Sequence, residues 1–380
     1  MNETTNGQTD QVDTEPGTLD PAAELASGSF YRELREKVFG FLAANELEPI
    51  DERALRGKAL IGFGMWLVSY VSYLVLGYFW GWAAMLAMIP MGFSLLCIVL
   101  SVMHDGSHSA FSQSRTGNTL AKWTLGFAGA SPTIWHKTHV QAHHGHTNIR
   151  GHDGDFEAGK VLRLHTGQEH YAAHRYQHVY AWFLYSLHSL KWIWFQDFSD
   201  FFAARWPMTP QKRRALFAEL VATRLWHFAC FLVVPALVMG NWGLAIVFYL
   251  AHWLLIGFAL TVIFLMAHLT GVQENMDSPD EAHTDWAIHQ LATTSNYAPH
   301  NKLLSWVIGG LNFQIEHHIF PKLSHTRHPL IRPLVREHCR LHGVAYHEYP
   351  SFRAVLADHY RNLKSLGNPG VAPAVAVPTA

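Results

Sequence analysis

The chain of 380 residues has three cysteines, Cys97, Cys230 and Cys339, and they lie far apart. That excludes a disulfide framework and the four-thiolate set of an iron–sulfur cluster. Charge is also scarce: charged residues make up 15% of the chain, and the net charge is −1 with neutral histidine. No broad basic field is left for nucleic acid, which is not expected as a partner. The long apolar stretches hold almost no Asp or Glu. A divalent-metal transporter needs polar ligands near the middle of its spans, so that reading is a distant alternative. No signal peptide is expected ahead of the first apolar run.

Histidine is in excess, with 27 residues. Any metal site must therefore be built from imidazole, with carboxylate, amide or water. Imidazole is a neutral ligand that suits Fe, Zn, Cu and Ni better than Mg or Ca. The densest stretch is Trp135-His136-Lys137-Thr138-His139-Val140-Gln141-Ala142-His143-His144-Gly145-His146. His139 and His143 are four apart and share one face of a helix, with His144 beside them. Such a stretch can supply ligands to two adjacent ions.

Four apolar runs read as membrane-spanning helices, at about 59–78, 83–103, 225–238 and 244–267. Pro90 and Pro235 are expected to bend or interrupt two of them. The connections within each pair are short and uncharged, while Lys and Arg flank the outer ends. The positive-inside rule then puts those ends in the cytoplasm. His104 and His268 both stand where a returning helix ends, so separate parts of the chain bring histidines to one membrane face. Residues 30–45 read as an amphipathic helix and 178–202, dense in Trp, Tyr and Phe, as interfacial helices. Residues 1–28 read as a disordered tail, 29–366 as the membrane domain and 367–380 as a flexible tail.

The candidate metal ligands are His104, His108, His139, His143, His144, His268, His317 and His318. Gln314 precedes the last two by three and four residues, so a helix turns it toward the same site. A structural zinc needs four ligands; this set suits two ions with neutral nitrogen donors. Acids behind the ligands would balance the charge and fix the imidazole tautomers. Asp105, Asp153, Asp155 and Glu316 are placed for that.

The patterns His104-x3-His108, His139-x3-His143-His144 and Gln314-x2-His317-His318, with the extra His268, resemble the three histidine boxes of the membrane fatty acid desaturases. Flanking phrases match as well, among them Trp286-Ala287-Ile288-His289-Gln290 and Gly309-Gly310-Leu311-Asn312-Phe313-Gln314. The Gln in the third box is similar to the acyl-lipid and front-end group, including bacterial linoleoyl-CoA desaturase-like proteins. The resemblance implies an all-α integral membrane protein. Its four spans in two hairpins, with interfacial helices, stand under a cytosolic helical cap. It implies two iron ions, O2 as co-substrate, and a double bond introduced into an acyl chain carried by CoA, acyl carrier protein or glycerolipid. His289 is then expected to support the ligands. Front-end relatives often carry a fused cytochrome b5 with a His-Pro-Gly-Gly motif, which this sequence lacks, so a separate ferredoxin or cytochrome b5, with its reductase, is expected to supply electrons. The expected location is a bacterial inner membrane, with the site on the cytoplasmic face. An acyl-chain hydroxylase or acetylenase is the alternative on the same boxes. His146 stands where the family has an aromatic residue, and its role, like that of His136, is open.

Overall fold

The computed structural model describes residues 28–154 and 158–369. The tails expected at 1–28 and 367–380 lie outside the described residues, except for Gly28 and 367–369. Helix dominates. Long uncharged runs of Leu, Val, Ala and Phe leave the backbone in apolar surroundings with no polar partner but itself, and a helix satisfies it within the segment. Among the described residues the extended pairing is a short parallel pair, β1 (Asn296–Tyr297) and β2 (Glu348–Tyr349), and an isolated parallel bridge between Ile149 and Met276.

Three helical stretches are long and apolar enough to cross a membrane: Glu52–Ser107, Pro210–Met239 and Trp242–His268. The first is folded back on itself. Helix Glu52–Trp80 starts on Asp51, whose side chain accepts from the Ala54 N–H, and ends at Gly81. There φ is +53°, a region open to glycine. After a short 3-10 turn the chain returns as Met85–Cys97 and packs along the helix it has just left. A Cβ on Gly62 would sit 3.2 Å from Ile98. The returning arm then widens into a π-helical turn, Ile98–Met103, and closes with His104–Ser107.

One proline expectation, the interruption at Pro235, is corrected. Pro90 lies inside Met85–Cys97 without ending it. The helix expected at 225–238 begins much earlier, at Pro210, where Thr209 caps it by accepting from the Lys212 N–H. It also passes through Pro235. A π-helical turn, Ala229–Val233, precedes that proline, and such a turn absorbs the donor that proline lacks.

Leu60, Leu86 and Ile89 are 77%, 73% and 69% exposed. Contiguous apolar faces of this kind are rare on soluble proteins, and here they lie on helices long and apolar enough to cross a membrane. The aromatic stretch expected at 178–202 forms Gln177–Ser186, His188–Lys191 and Asp197–Phe202, with a π-helical turn Trp192–Gln196 between the last two. The first two pack along Trp242–His268 and Asp197–Phe202 packs on the helix that begins at Pro210, while Phe183, Phe195 and Phe202 stay exposed.

At the polar end, helix Ser29–Ala44 buries Leu34, Val38 and Leu42 against Ile315, Ile319, Ile331 and Val335. Helix Gln314–Ile319 is thereby held from behind. Its isoleucines face a core, and His317 and His318, between them, are left to turn toward the ends of the long helices.

Candidate metal centre

Four separate pieces of chain deliver the histidines. His104 and His108 come from the end of the first apolar stretch and His268 from the end of the last. His317 and His318 lie on the short helix Gln314–Ile319. The remaining three come from the stretch that the sequence suggested as an ordinary helix. Residues His136–His143 are π-helical instead. A π turn closes by an i→i+5 bond, so residues four and five after His139 both stand about one turn above it. That geometry explains how His143 and His144 can reach the same site although they are adjacent.

All eight histidines are buried. The ring nitrogens of His104, His108, His139 and His317 form one group, and those of His143, His268 and His318 a second, each within 4.8 Å. His144 joins His317 and His318 in a third, overlapping group. Some nitrogens approach closely: His104 Nε2 is 3.3 Å from His139 Nε2, and His144 Nε2 is 3.1 Å from His317 Nε2. Two ligands each about 2.0–2.1 Å from one ion sit roughly 3–3.4 Å apart. The His104–His139 spacing is that of ligands on a common centre, and His144 stands where the two groups meet.

The electrostatics agree. Burial, and then the neighbouring imidazoles, push His108, His139, His144, His317 and His318 well below the usual histidine range. They are neutral and keep a lone pair. Nε2 of His108 and of His318, Nδ1 of His139 and of His144, and Oε1 of Gln314 are buried with no hydrogen-bond partner among the described residues. An unsatisfied buried acceptor costs about 1–3 kcal/mol. Nε2 of His108 and of His318 and Oε1 of Gln314 are thus available to a metal ion. Chemically, nitrogen donors with a single amide oxygen suit a transition metal.

The supporting residues are partly those expected. Asp153 Oδ2 accepts from His143 Nδ1 at 2.9 Å and from the Asn148 N–H at 3.0 Å. Asp105 lies 3.8 Å from His104 Nδ1, and its stronger contact is His325 Nδ1 at 2.8 Å. His325 Nε2 in turn meets Lys58 Nζ at 3.0 Å. The Glu316 carboxyl accepts from Asn296 and from the Tyr346 hydroxyl, both at 2.8 Å. It braces the helix of the third box, and burial raises its pKa to about 7. His289 Nε2 donates to the Thr147 carbonyl at 3.1 Å, one step behind the ligands. Asp155 lies outside the described residues.

Gln290 was missed as a site residue, although it ends a phrase noted above. Its Oε1 accepts from His318 Nδ1 at 2.9 Å, which leaves His318 Nε2 bare for a ligand bond, and its amide donates to the His144 carbonyl. Asn148 was missed too; its side chain donates to the His268 carbonyl at 3.2 Å. Neither His136 nor His146 belongs to the ligand groups. His146 stacks on His152, with ring centres 5.3 Å apart, and His136 bonds to the Ser107 backbone.

A family model for fatty acid desaturases matches residues 80–350, more than half of the chain and every histidine of the cluster. The chain belongs to the fatty acid desaturase family. Among its relatives, an sn-1 linoleoyl-lipid 6-desaturase of Arthrospira platensis is 32% identical over 89% of this chain and 92% of that protein. A Synechocystis protein of the same name is 28% identical over 89% of this chain and 95% of its own length. An acyl-lipid (8-3)-desaturase of Physcomitrium patens is 29% identical over 91% of this chain and 73% of that protein. This desaturase is thus an oxidoreductase of fatty acyl chains, an integral membrane protein, and metal-dependent as its family is.

Proposed function

We propose that the desaturase holds two iron ions and uses O2 to place a double bond in an acyl chain of a membrane lipid. The observation that carries this reading is the convergence of eight buried imidazoles in two neighbouring groups. In this reading His104, His108, His139 and His317 hold one ion. His143, His144, His268 and His318 hold the other, with Gln314 adding its oxygen directly or through water. The relatives' names support the acyl-lipid class of substrate. When bound, the irons supply the oxidant that an unactivated methylene requires, since no side-chain acid or base can grip an alkyl C–H. The balance is –CH2–CH2– with O2, two electrons and two protons giving –CH=CH– and two waters.

The chain's own residues set the geometry for that step. Asp153 and Gln290 fix the Nδ1–H tautomers of His143 and His318, so that Nε2 of each is the ligand atom. The aromatic collar of Trp135, Trp192 and Phe264 lies beside His139; the Trp135 ring stacks on the imidazole at 4.3 Å. It gives an acyl chain an apolar path to the centre. Residues 29–366 form the catalytic domain. The fold-back at Gly81 supports four spans in two hairpins, with the helices around the histidines as a cytosolic cap. Electrons come from a separate ferredoxin or cytochrome b5, and the site faces the cytoplasm of a bacterial inner membrane.

The test is expression in a host membrane followed by lipid analysis, with His143→Ala alongside. New unsaturated chains are expected from the native protein, with about two irons per chain, and none from the variant. An unchanged profile in the variant, or hydroxylated chains as the product, would overturn the reading.

A further inference from the structure

Away from the metal centre, one more group of side chains converges among the described residues. Helix Ser29–Ala44 brings Glu33 against the last turn of helix His328–His342, which carries His338 and His342 four residues apart and so on one face. One ligand atom from each of the three lies within 4.8 Å of the others, and none of the three belongs to the histidine groups described above. His338 is 1% exposed, while the side chains of His342 and Glu33 are 34% and 47% exposed. The group is anchored at one corner and reachable from solvent at the other two.

The hydrogen bonds fix which ring nitrogens are bare. A backbone carbonyl only accepts, so a ring nitrogen bonded to one carries the proton. His338 Nε2 donates to the Phe30 carbonyl at 3.1 Å, which leaves a lone pair on Nδ1. His342 Nδ1 donates to the His338 carbonyl at 3.0 Å, which leaves a lone pair on Nε2. An N–H held by a backbone carbonyl is a usual support of a metal-binding imidazole. The Phe30 ring packs on both imidazoles, with centres 4.5 Å and 5.3 Å away, and holds their planes. The Nε2 of His342 then faces Glu33 Oε2 at 3.2 Å. Two lone pairs at that distance repel unless a proton or a metal ion lies with them. Lys37 Nζ sits 2.9 Å from Nδ1 of His338. Both lone pairs thus draw positive charge, at a helix C-terminus whose dipole favours it.

We propose that Glu33, His338 and His342 bind one transition-metal ion of the Zn2+ class, with water as the fourth ligand. Two imidazoles, a carboxylate and a water make a tetrahedral zinc set. Ligands about 2.0–2.2 Å from one ion sit roughly 3.2–3.5 Å apart. The Glu33–His342 pair already has that spacing, and small side-chain turns complete the set. The Lys37 ammonium is the competitor: it occupies His338 Nδ1 until the ion displaces it toward solvent. The bound ion clasps helix Ser29–Ala44 to helix His328–His342. Leu34 and Val38 of the first share a core with Ile331 and Val335 of the second, and with Ile315 and Ile319 behind the third histidine box. Metal bound at this surface therefore stiffens the backing of His317 and His318.

In the experiment, full-length iron-loaded protein in detergent is titrated with Zn2+ by calorimetry, with Mg2+ as the comparison. One Zn2+ per chain is expected beyond the iron, and no uptake of Mg2+, because nitrogen donors suit the first ion and not the second. His342→Ala and Glu33→Gln are each expected to weaken the site about tenfold or more. Lys37→Met keeps the length of the side chain, removes the competing ammonium and is expected to tighten the site about tenfold. Equal iron content in all four proteins shows that the variants fold. Thermal unfolding gives a second readout: saturating Zn2+ raises the midpoint of the native protein by a few degrees and leaves that of His342→Ala where it was. The site does not depend on the iron assignment. Should the metal centre itself take Zn2+, His342→Ala still binds one ion fewer than the native protein. A native protein that takes up no Zn2+ would overturn the proposal, as would equal uptake by both ligand variants. So would Mg2+ bound with the affinity of Zn2+, or a Lys37→Met protein that binds no more tightly than the native one.

Discussion

A metal ligand is only as good as the group that orients it, and here the orienting groups are Asp153 and Gln290. Each accepts the Nδ1–H of a candidate ligand, at 2.9 Å in both cases. Gln290→Leu keeps the bulk but leaves His318 free to choose the wrong tautomer. Loss of such a partner typically costs about 10–100-fold in metal affinity or activity, and a loss of that size is expected for Gln290→Leu and for Asp153→Leu. Iron per chain, measured after purification, separates this from a folding defect. Full iron with full turnover in both variants would show that the hydrogen bonds do not matter. The histidines that the fold brings together stood out in the sequence because metal binding demands particular residue types at short spacings. Asp153 was one of four nearby acids that the sequence offered, and only the fold shows it bonded to His143. Gln290 and Asn148 did not stand out. A neutral amide carries no signature of its own, and the 28 positions between Gln290 and His318 are closed only by tertiary packing. For Glu316 the sequence showed a carboxylate beside two ligands, but not that Asn296 and Tyr346 would claim it.

At the scale of the element, spacing alone misled in one respect and served in another. Spacing suggested a helix at His139–His144, and the apolar runs placed His104 and His268 at helix ends. Neither could show that His136–His143 is wound as a π-helix, because apolar pattern reports which faces are buried and not which hydrogen-bond register is chosen. The interruption expected at Pro235 failed for the same reason: a π-helical turn ahead of it rearranges the bonds that proline would break. Close approach between elements was equally hidden. Gly106, between the two histidines of the first box, packs on helix Arg115–Ala128 so tightly that a Cβ there would meet Ala121 Cβ at 2.5 Å and the Lys122 backbone nitrogen at 2.6 Å. Backbone cannot yield as a flexible side chain can. Gly106→Ala is therefore expected to destabilise the protein by about 1–3 kcal/mol through overpacking and to lower its iron content, because His104 and His108 move with the helix. Gly145, in the second box, has nothing within 4 Å of its would-be Cβ, so Gly145→Ala is the matched control and should melt close to the native protein. Equal melting temperatures for the two variants in detergent would refute the packing argument.

For the whole molecule, the question is what joins the apolar helices to the polar helices above them. His359, on helix Phe352–Leu366, is one such joint. Its Nδ1 donates to the Leu269 carbonyl at 2.7 Å, just past the end of the last long helix, and its Nε2 accepts from the Tyr185 hydroxyl at 2.9 Å. Both bonds require the neutral ring, and burial, as the leading cause, pushes the His359 pKa down to about 4. The sign follows directly. The unfolded chain takes up the proton near pH 6.5 and the folded one only near pH 4, so between these values the unfolded state binds more protons and stability falls as pH is lowered. In full this one group removes roughly 3 kcal/mol, at about 1.4 kcal/mol per pKa unit. Above pH 6.5 the stabilisation is complete and flat. His359→Phe cannot titrate, but it leaves the Leu269 carbonyl and the Tyr185 hydroxyl unpaired, at a cost of about 1–3 kcal/mol at neutral pH. The two stability curves, followed by thermal unfolding in detergent from pH 8 to pH 4, are therefore expected to lie apart at pH 8 and to converge on acidification. Other buried histidines titrate in both proteins and cancel in the difference. Parallel curves would mean that His359 does not carry the proton-linked joint between the two halves.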